Sequence, residues 1–275
     1  IADEKSCSYA TFDSPLLFQT MRLTQHRLIK IGAPVDHILL SDLSLIDTTP
    51  YKLIVFLNCY HISEETLEII RSKVLCNGKY VLWCYAPGLF CDSACLEDRV
   101  QDLTGFRLTF SWGGPLVAPR ITLTGALGGT IAEKGTLNED LGAAMSLIEV
   151  TDPEADGLGF LAGTDKVVFA RKDMKNWVSF YSITSCLDPS VYRALAQSAG
   201  VHIYNSRDDT FYANNSYITL HANGAGPRTI WFPWKCKALD AVSGEILCDF
   251  ETGFTRNFAN GETLIALYEK IPSNR

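Results

Sequence analysis

The chain has 275 residues, 47% of them hydrophobic and 20% charged, and a formal net charge of −7. This composition excludes disorder, collagen and coiled coil, and a chain of this length buries roughly 75% of its unfolded surface without a disulfide or metal staple. The acidic balance and the absence of a Lys/Arg run exclude a counterion-displacing basic patch, so no nucleic-acid partner is expected, and no apolar run reaches the roughly 18 residues of a membrane span.

Ile1 and Ala2 read as the end of a strand whose earlier residues are missing, as in a truncated or clipped chain. No signal peptide is legible in the first residues. Asp3 to Asp13 is polar and loop-like. From Pro15 to Ile31, Leu16, Thr20, Leu23, Arg27, Leu28 and Ile31 fall near i, i+3, i+4, i+7 spacing, which predicts a helix stopped by Gly32. Val35 to Leu40 is a short strand. Tyr51 to Asn58 carries Leu-Ile-Val-Phe-Leu, a buried strand of the parallel type. Ser63-Glu64-Glu65-Thr66 caps a helix that ends at Asn77-Gly78. Lys79 to Tyr85 is another apolar strand, and Ala86-Pro87-Gly88 turns sharply toward a helix over Asp92 to Leu103. The alternation of strand and helix predicts a doubly wound α/β sheet.

Gly105 to Gly163 is rich in Gly, Thr and Pro and reads as strands and loops. Lys166 to Arg171 and Trp177 to Ile183 are strands separated by the polar turn Lys172 to Asn176, and Pro189 to Ala199 is a helix stopped by Gly200. After Asn205, seven short β segments follow one another as far as Lys270, with turn signals at Asn214-Asn215, Asn223-Gly224, Ser243-Gly244 and Asn260-Gly261. They predict a small all-β sandwich. The expected domains are 1–205, α/β, and 206–275, β.

An odd number of cysteines, nine, scattered through a long chain reads as free thiols in a reducing compartment, and the expected location is cytoplasmic. Cys84 is the one candidate nucleophile, because it ends a strand at a sharp strand-to-helix turn where a dipole and a histidine activate a thiol. Bulky Tyr85 follows it where a small residue would let the backbone fold tightly, and no histidine-bearing partner segment closes the region. A buried structural cysteine is therefore the expectation. Cys91 and Cys95, at i and i+4 of the predicted helix, lack the second ligand pair a structural zinc needs, so no metal and no cofactor are expected. The five histidines are dispersed, with His202 and His221 flanking the expected domain boundary.

Glycoside chemistry needs two facing acids. The adjacent pairs Glu64-Glu65, Glu139-Asp140 and Asp208-Asp209 read instead as solvated caps and turns. Gly128-Gly129 and the other glycine pairs open no phosphate-cradling helix. Asn214-Asn215-Ser216 is a glycosylation sequon that matters only in a secreted chain. In the β region, Trp231 and Trp234 cannot both face inward by strict alternation unless Pro233 breaks the strand, so one of them is a candidate carbohydrate contact.

Several stretches together resemble the C-terminal part of β-galactosidase-like glycoside hydrolases of the family 42 type. They are Ile31 to Asp36 with Ser41 to Leu43, Tyr51 to Asn58, Ile62 to Glu65 and Gly78 to Leu82; then Ala199 to Tyr204 with Asp208-Asp209 and Tyr212 to Asn214; and Tyr217 to Ala222, Thr229-Ile230 with Pro233, Ser243 to Glu245 and Gly261 to Thr263. The resemblance implies a class I glutamine amidotransferase-like (flavodoxin-like) domain that has lost its triad and mediates trimerisation, followed by a β-sandwich. It places the catalytic carboxylates on an N-terminal barrel for which this chain has no room. On this reading the chain is a non-catalytic assembly region, a homo-oligomer whose partner is that barrel, with a degenerate elbow at Cys84 and Tyr85. The alternatives are an amidotransferase-like thiol enzyme using Cys84, and a carbohydrate-binding module centred on Trp231 or Trp234.

Overall fold

The computed structural model describes residues 1–9, 15–91, 94–124, 136–137 and 145–271. Gly128-Gly129 and Glu139-Asp140 lie outside the described residues. The chain divides into two compact units: Ile1–Gln25 with His37–Asp188, and His26–Asp36 with the chain from Pro189 onward. The division falls at 188/189, so helix Pro189–Ser198 and the segment to Asn205 join the C-terminal strands, where the sequence placed the boundary at 205.

The first unit is built on one mixed sheet. Its strands are β1 (Leu53–Phe56), β2 (Tyr80–Cys84), β3 (Ile121–Leu123), β4 (Thr136–Leu137), β5 (Asp156–Leu161), β6 (Val167–Asp173) and β7 (Val178–Ser182). Their order is β1-β2-β7-β6-β5-β3-β4. β1 with β2 and β2 with β7 are parallel; all other pairs are antiparallel. Helix α1 (Glu64–Lys73) crosses from β1 to β2, and α2 (Glu97–Thr104) follows β2.

The predicted doubly wound, amidotransferase-like α/β fold is therefore corrected: the chain is mostly β, with few and short helices. A parallel neighbour requires a crossover of about a dozen residues, whereas a hairpin needs only a few. Between β6 and β7 the chain has only the turn at Met174–Trp177, whose Met174 N–H donates to the Trp177 carbonyl at 2.9 Å, so these strands form a hairpin. Antiparallel pairing then continues through β5, β3 and β4, and the winding stops after three parallel strands.

Local chemistry explains the elements that did form as expected. Ser63 caps α1 by accepting from the Thr66 N–H, Glu64 and Glu65 sit in its first turn, and Arg71 and Lys73 in its last. Its Leu67 and Ile70 are buried. They join a core in which Phe56 stacks on Trp83 at 4.5 Å between ring centres and Trp177 meets Trp83 edge-on at 6.3 Å. Each such ring contributes about 1.5–3 kcal/mol when buried. The helix expected over Asp92 to Leu103 starts only at Glu97. Cys91 and Cys95 lie on a two-residue β ladder, so the i, i+4 helical geometry considered for them does not exist.

The second unit holds helix α3 (Pro189–Ser198) and strands β8 (Thr210–Ala213), β9 (Tyr217–His221), β10 (Gly226–Asp240), β11 (Ile246–Phe258) and β12 (Thr263–Lys270). They form one antiparallel sheet, β8-β9-β12-β10-β11. The predicted two-sheet sandwich is corrected to this single sheet. Four of the seven expected segments are halves of the two long strands β10 and β11, which run on through register shifts between Trp231 and Leu239. Pro233, with no N–H to donate, sits inside the first of these shifts instead of ending the strand. Phe211, Ile218, Ile230, Phe232, Phe254 and Tyr268 supply the core from all five strands.

Two arginines tie the unit together. Arg193 of α3 donates to the carbonyls of Ile31, Lys30 and Arg207 and to the Asp208 carboxylate at 2.7 Å. Arg228 donates from Nε and Nη2 to both oxygens of Asp209 at 2.9 and 3.0 Å, with both side chains buried, 0% and 1% exposed. The reading of Asp208-Asp209 as a solvated pair is thus corrected for Asp209. Burial pushes its carboxyl up, but Arg228, the Asn205 amide and the Asn223 N–H outweigh it and hold it below its ordinary value. Gly32 has φ +77° and packs so closely that a Cβ would lie 1.7 Å from the Asn205 carbonyl oxygen, so glycine is required there twice over.

Replacing Asp209 by Ala leaves a guanidinium buried and unpaired, and is expected to cost about 3–5 kcal/mol in urea unfolding. A carboxyl depressed in the folded state stabilises above its unfolded value of about 3.9, and that stability is lost as pH falls through the lower folded value. Unfolding free energy followed from pH 6 to pH 2 should therefore fall less steeply in Asp209→Asn than in the unmodified protein.

Candidate functional site

Ligands of sheets with parallel strands bind outside the carboxyl ends of those strands. Here that edge is formed by the segments after β1, β2 and β7: Leu57 to His61, Tyr85 to Gly88 and Ile183 to Cys186. Cys84 is the last residue of β2, 1% exposed, and burial pushes its thiol far above the ordinary cysteine value. Cys59, on the β1 side, is pushed up to about 12 by the same cause. Both are protonated at neutral pH, and a thiol is a poor nucleophile.

The strained position of the elbow is Tyr85, not Cys84. Its φ is +62°, rare for a bulky side chain, and its N–H donates to the Ser182 carbonyl at 2.8 Å, which pins the turn to β7. Its ring lies edge-on to Tyr60 at 5.9 Å. The short helix Lys5–Tyr9 lies over the β1 side of this edge. Asn58 exchanges two hydrogen bonds with the Asp3 backbone, at 2.9 and 2.8 Å. The Ser6 hydroxyl donates to the Asp3 carboxylate and accepts from the His61 N–H, and Tyr9 stacks on Phe90 at 4.5 Å and on His61 at 6.0 Å. These polar groups hold backbone in place.

Beside β1 a cavity of about 320 Å³ is lined by Ile1, Met21, Ile38, Leu39 and Leu57, with Arg22, Gln25 and His37 at its polar side. Among the described residues that line it, none is a carboxylate. Among the described residues, no group of three or more His, Cys, Asp or Glu is arranged to hold a metal ion, and no helix is long and apolar enough to cross a membrane.

In the second unit the two tryptophans separate. Trp231 on β10 is 55% exposed, and Trp234 is half-buried with the Lys270 ammonium 5.0 Å above its ring. The Trp231 ring packs at Gly253, where a Cβ would come within 3.3 Å of it and within 2.3 Å of the Ile230 carbonyl oxygen. His202 Nε2 donates to the Trp231 carbonyl at 2.8 Å, and His221 shares a hydrogen bond with Thr263. The Asn214 side chain, on the exposed sequon, accepts from the Ser216 and Tyr217 N–H groups.

Sequence reasoning missed the Asp209–Arg228 pair. The only signal was a lone arginine among turn residues, Ala-Gly-Pro-Arg228-Thr, just before a strand expected from Thr229. It also missed the role of Tyr85, whose backbone angle no composition reveals.

No family model matches the chain, and no curated protein matches it. Solved structures do. The β-galactosidase of Bacillus circulans sp. alkalophilus superposes with a TM-score of 0.64 at 14% identity, over 91% of this chain and 37% of that one. Gan42B, a GH42 β-galactosidase, gives 0.60 at 15% identity, over 92% and 36%. The β-galactosidase of the psychrophilic Marinomonas ef1 gives 0.58 at 14% identity, over 98% and 37%. The chain thus spans little more than a third of the length of these enzymes.

Native-state alkylation follows from the burial above. Iodoacetamide is expected to label exposed Cys95 quickly and Cys84 only after unfolding; selective, rapid labelling of Cys84 near neutral pH would restore the thiol-enzyme reading.

In fold, this chain corresponds to a part of the β-galactosidases of the GH42 type.

Proposed function

We infer that this chain is a non-catalytic part of a longer β-galactosidase-like glycoside hydrolase, one that packs against a catalytic barrel outside this sequence and supports assembly of the enzyme. The observation that carries the reading is the coverage: nearly all of this chain, but just over a third of each β-galactosidase, shares the fold. The chemistry of the described residues agrees with it. The thiols at the parallel-strand edge are buried and protonated, and of the carboxylate pairs proposed from sequence, Asp208 and Asp209 are each bound to an arginine. Asp209, held by Arg228 below its ordinary value, is stabilised as the anion and is poor at donating the proton a glycosidic leaving group needs.

The test is turnover of nitrophenyl galactosides and related glycosides by the purified chain. None is expected; hydrolysis that persists through repurification and disappears with a point substitution in this chain would overturn the proposal. Light scattering after gel filtration reads the assembly role separately: an oligomer supports it, and a strict monomer confines assembly to the rest of the enzyme.

A second reading, a carbohydrate contact, is favoured by Trp231 alone, whose indole is open to solvent beside a glycine and could stack on a sugar ring. Galactose or galacto-oligosaccharides should then shift tryptophan fluorescence in the unmodified chain but not in Trp231→Ala. Flat titrations across glycans would remove this reading.

A further inference from the structure

Cys236 and Cys248 stand on neighbouring strands, β10 and β11, with their sulfurs 4.0 Å apart. They are not direct partners in the ladder. Ala238 faces Cys248 while Cys236 faces Glu251, so β11 carries one more residue than β10 across this step. Phe250, within that extra length, has φ +62°. Such a bulge bends the strand and re-aims the side chains around it. It brings together two sulfurs that a regular ladder would hold on a diagonal. Both lie in the core of the second unit, packed with Phe232, Phe254 and Tyr268.

We propose that Cys236 and Cys248 are a modification site, a reversible disulfide formed with a low-molecular-weight disulfide such as glutathione disulfide as oxidant and stapling β11 to β10. The sulfurs need to close from 4.0 Å to about 2.05 Å. Access comes from the sheet order. Among the described strands β11 is the outermost, paired on one side only, so its local opening exposes Cys248 while β10 stays held by β12.

The exchange balances in two steps. The Cys248 thiol loses its proton, and its sulfur attacks one sulfur of the oxidant. The oxidant's S–S bond breaks, and one glutathione leaves and takes up a proton. Cys236 then loses its proton and attacks the Cys248 sulfur, expelling the second glutathione, which is protonated in turn. Two protons and two electrons pass from the protein to the oxidant, which ends as two thiols. Burial keeps both protein thiols protonated, Cys236 up to about 12, so formation is slow at neutral pH and quickens about tenfold per pH unit below that value.

The experiment uses the full chain, reduced and then held at pH 8 in mixtures of reduced and oxidised glutathione. Samples are quenched in acid, alkylated under denaturing conditions, digested and weighed. The expected product is the Cys236 peptide joined to the Cys248 peptide, lighter by two hydrogen atoms than the separate thiols and reversed by dithiothreitol. The oxidised form should melt at least about 5 °C higher than the reduced form, because the cross-link restricts the unfolded chain. In Cys248→Ala that difference vanishes. Recovery of Cys236 and Cys248 as free thiols while exposed Cys95 carries glutathione would overturn the proposal, as would Cys248 joined to a different cysteine. Should the variant not fold, the peptide map of the unmodified chain decides alone.

Discussion

Arg228 and Asp209 have both left water, and the geometry of the second unit follows from what that requires. Burying two ions costs several kcal/mol each, and the cost is offset only if their polar atoms are met. Arg228 donates to both Asp209 oxygens and to the carbonyls of Asn223, Gly224 and Gly226; Asp209 also accepts from the Asn223 N–H and the Asn205 amide. One pair therefore fixes the start of β8, the turn before β10 and the connection at Asn205. Through Asn205 it reaches Gly32, whose carbonyl accepts from the Tyr204 N–H at 2.7 Å. The segment His26–Asp36, distant in sequence, is in this way built into a unit made otherwise of the C-terminal strands.

The first unit shows the opposite use of polar groups. Three parallel strands end together, the arrangement that in other sheets opens a crevice for a ligand. Here the β1 side of the edge is occupied by Asp3, Ser6, Asn58 and the Tyr9 ring, and the turn after β2 carries a strained tyrosine in the place where a nucleophile would stand. Strain at Tyr85 persists because the Ser182 carbonyl and the Tyr60 ring hold it.

Local signals in the chain were read correctly where one short stretch carries all of the physics. The Ser63 cap with its two glutamates and the apolar runs at β1 and β2 each depend on residues within a few positions. The errors came where distant strands decide. The strand–helix alternation up to Leu103 suggested continued winding, but pairing of β6 with β5 and β5 with β3 is set by tertiary contact and leaves no periodic mark in the sequence. Pro233 suggested the end of one strand, whereas register shifts carry a single strand through it.

By itself the sequence determined the positions of most strands and caps, the acidic surface and the buried character of Cys84, because these depend on side-chain polarity and spacing along one segment. Only the tertiary structure decided how far antiparallel pairing extends, the single C-terminal sheet, the ion pair of Asp209 with Arg228 and the meeting of Cys236 with Cys248. Those rest on which distant residues become neighbours, and a hydrogen-bond ladder or a buried charge selects its partner by three-dimensional fit that no local pattern encodes.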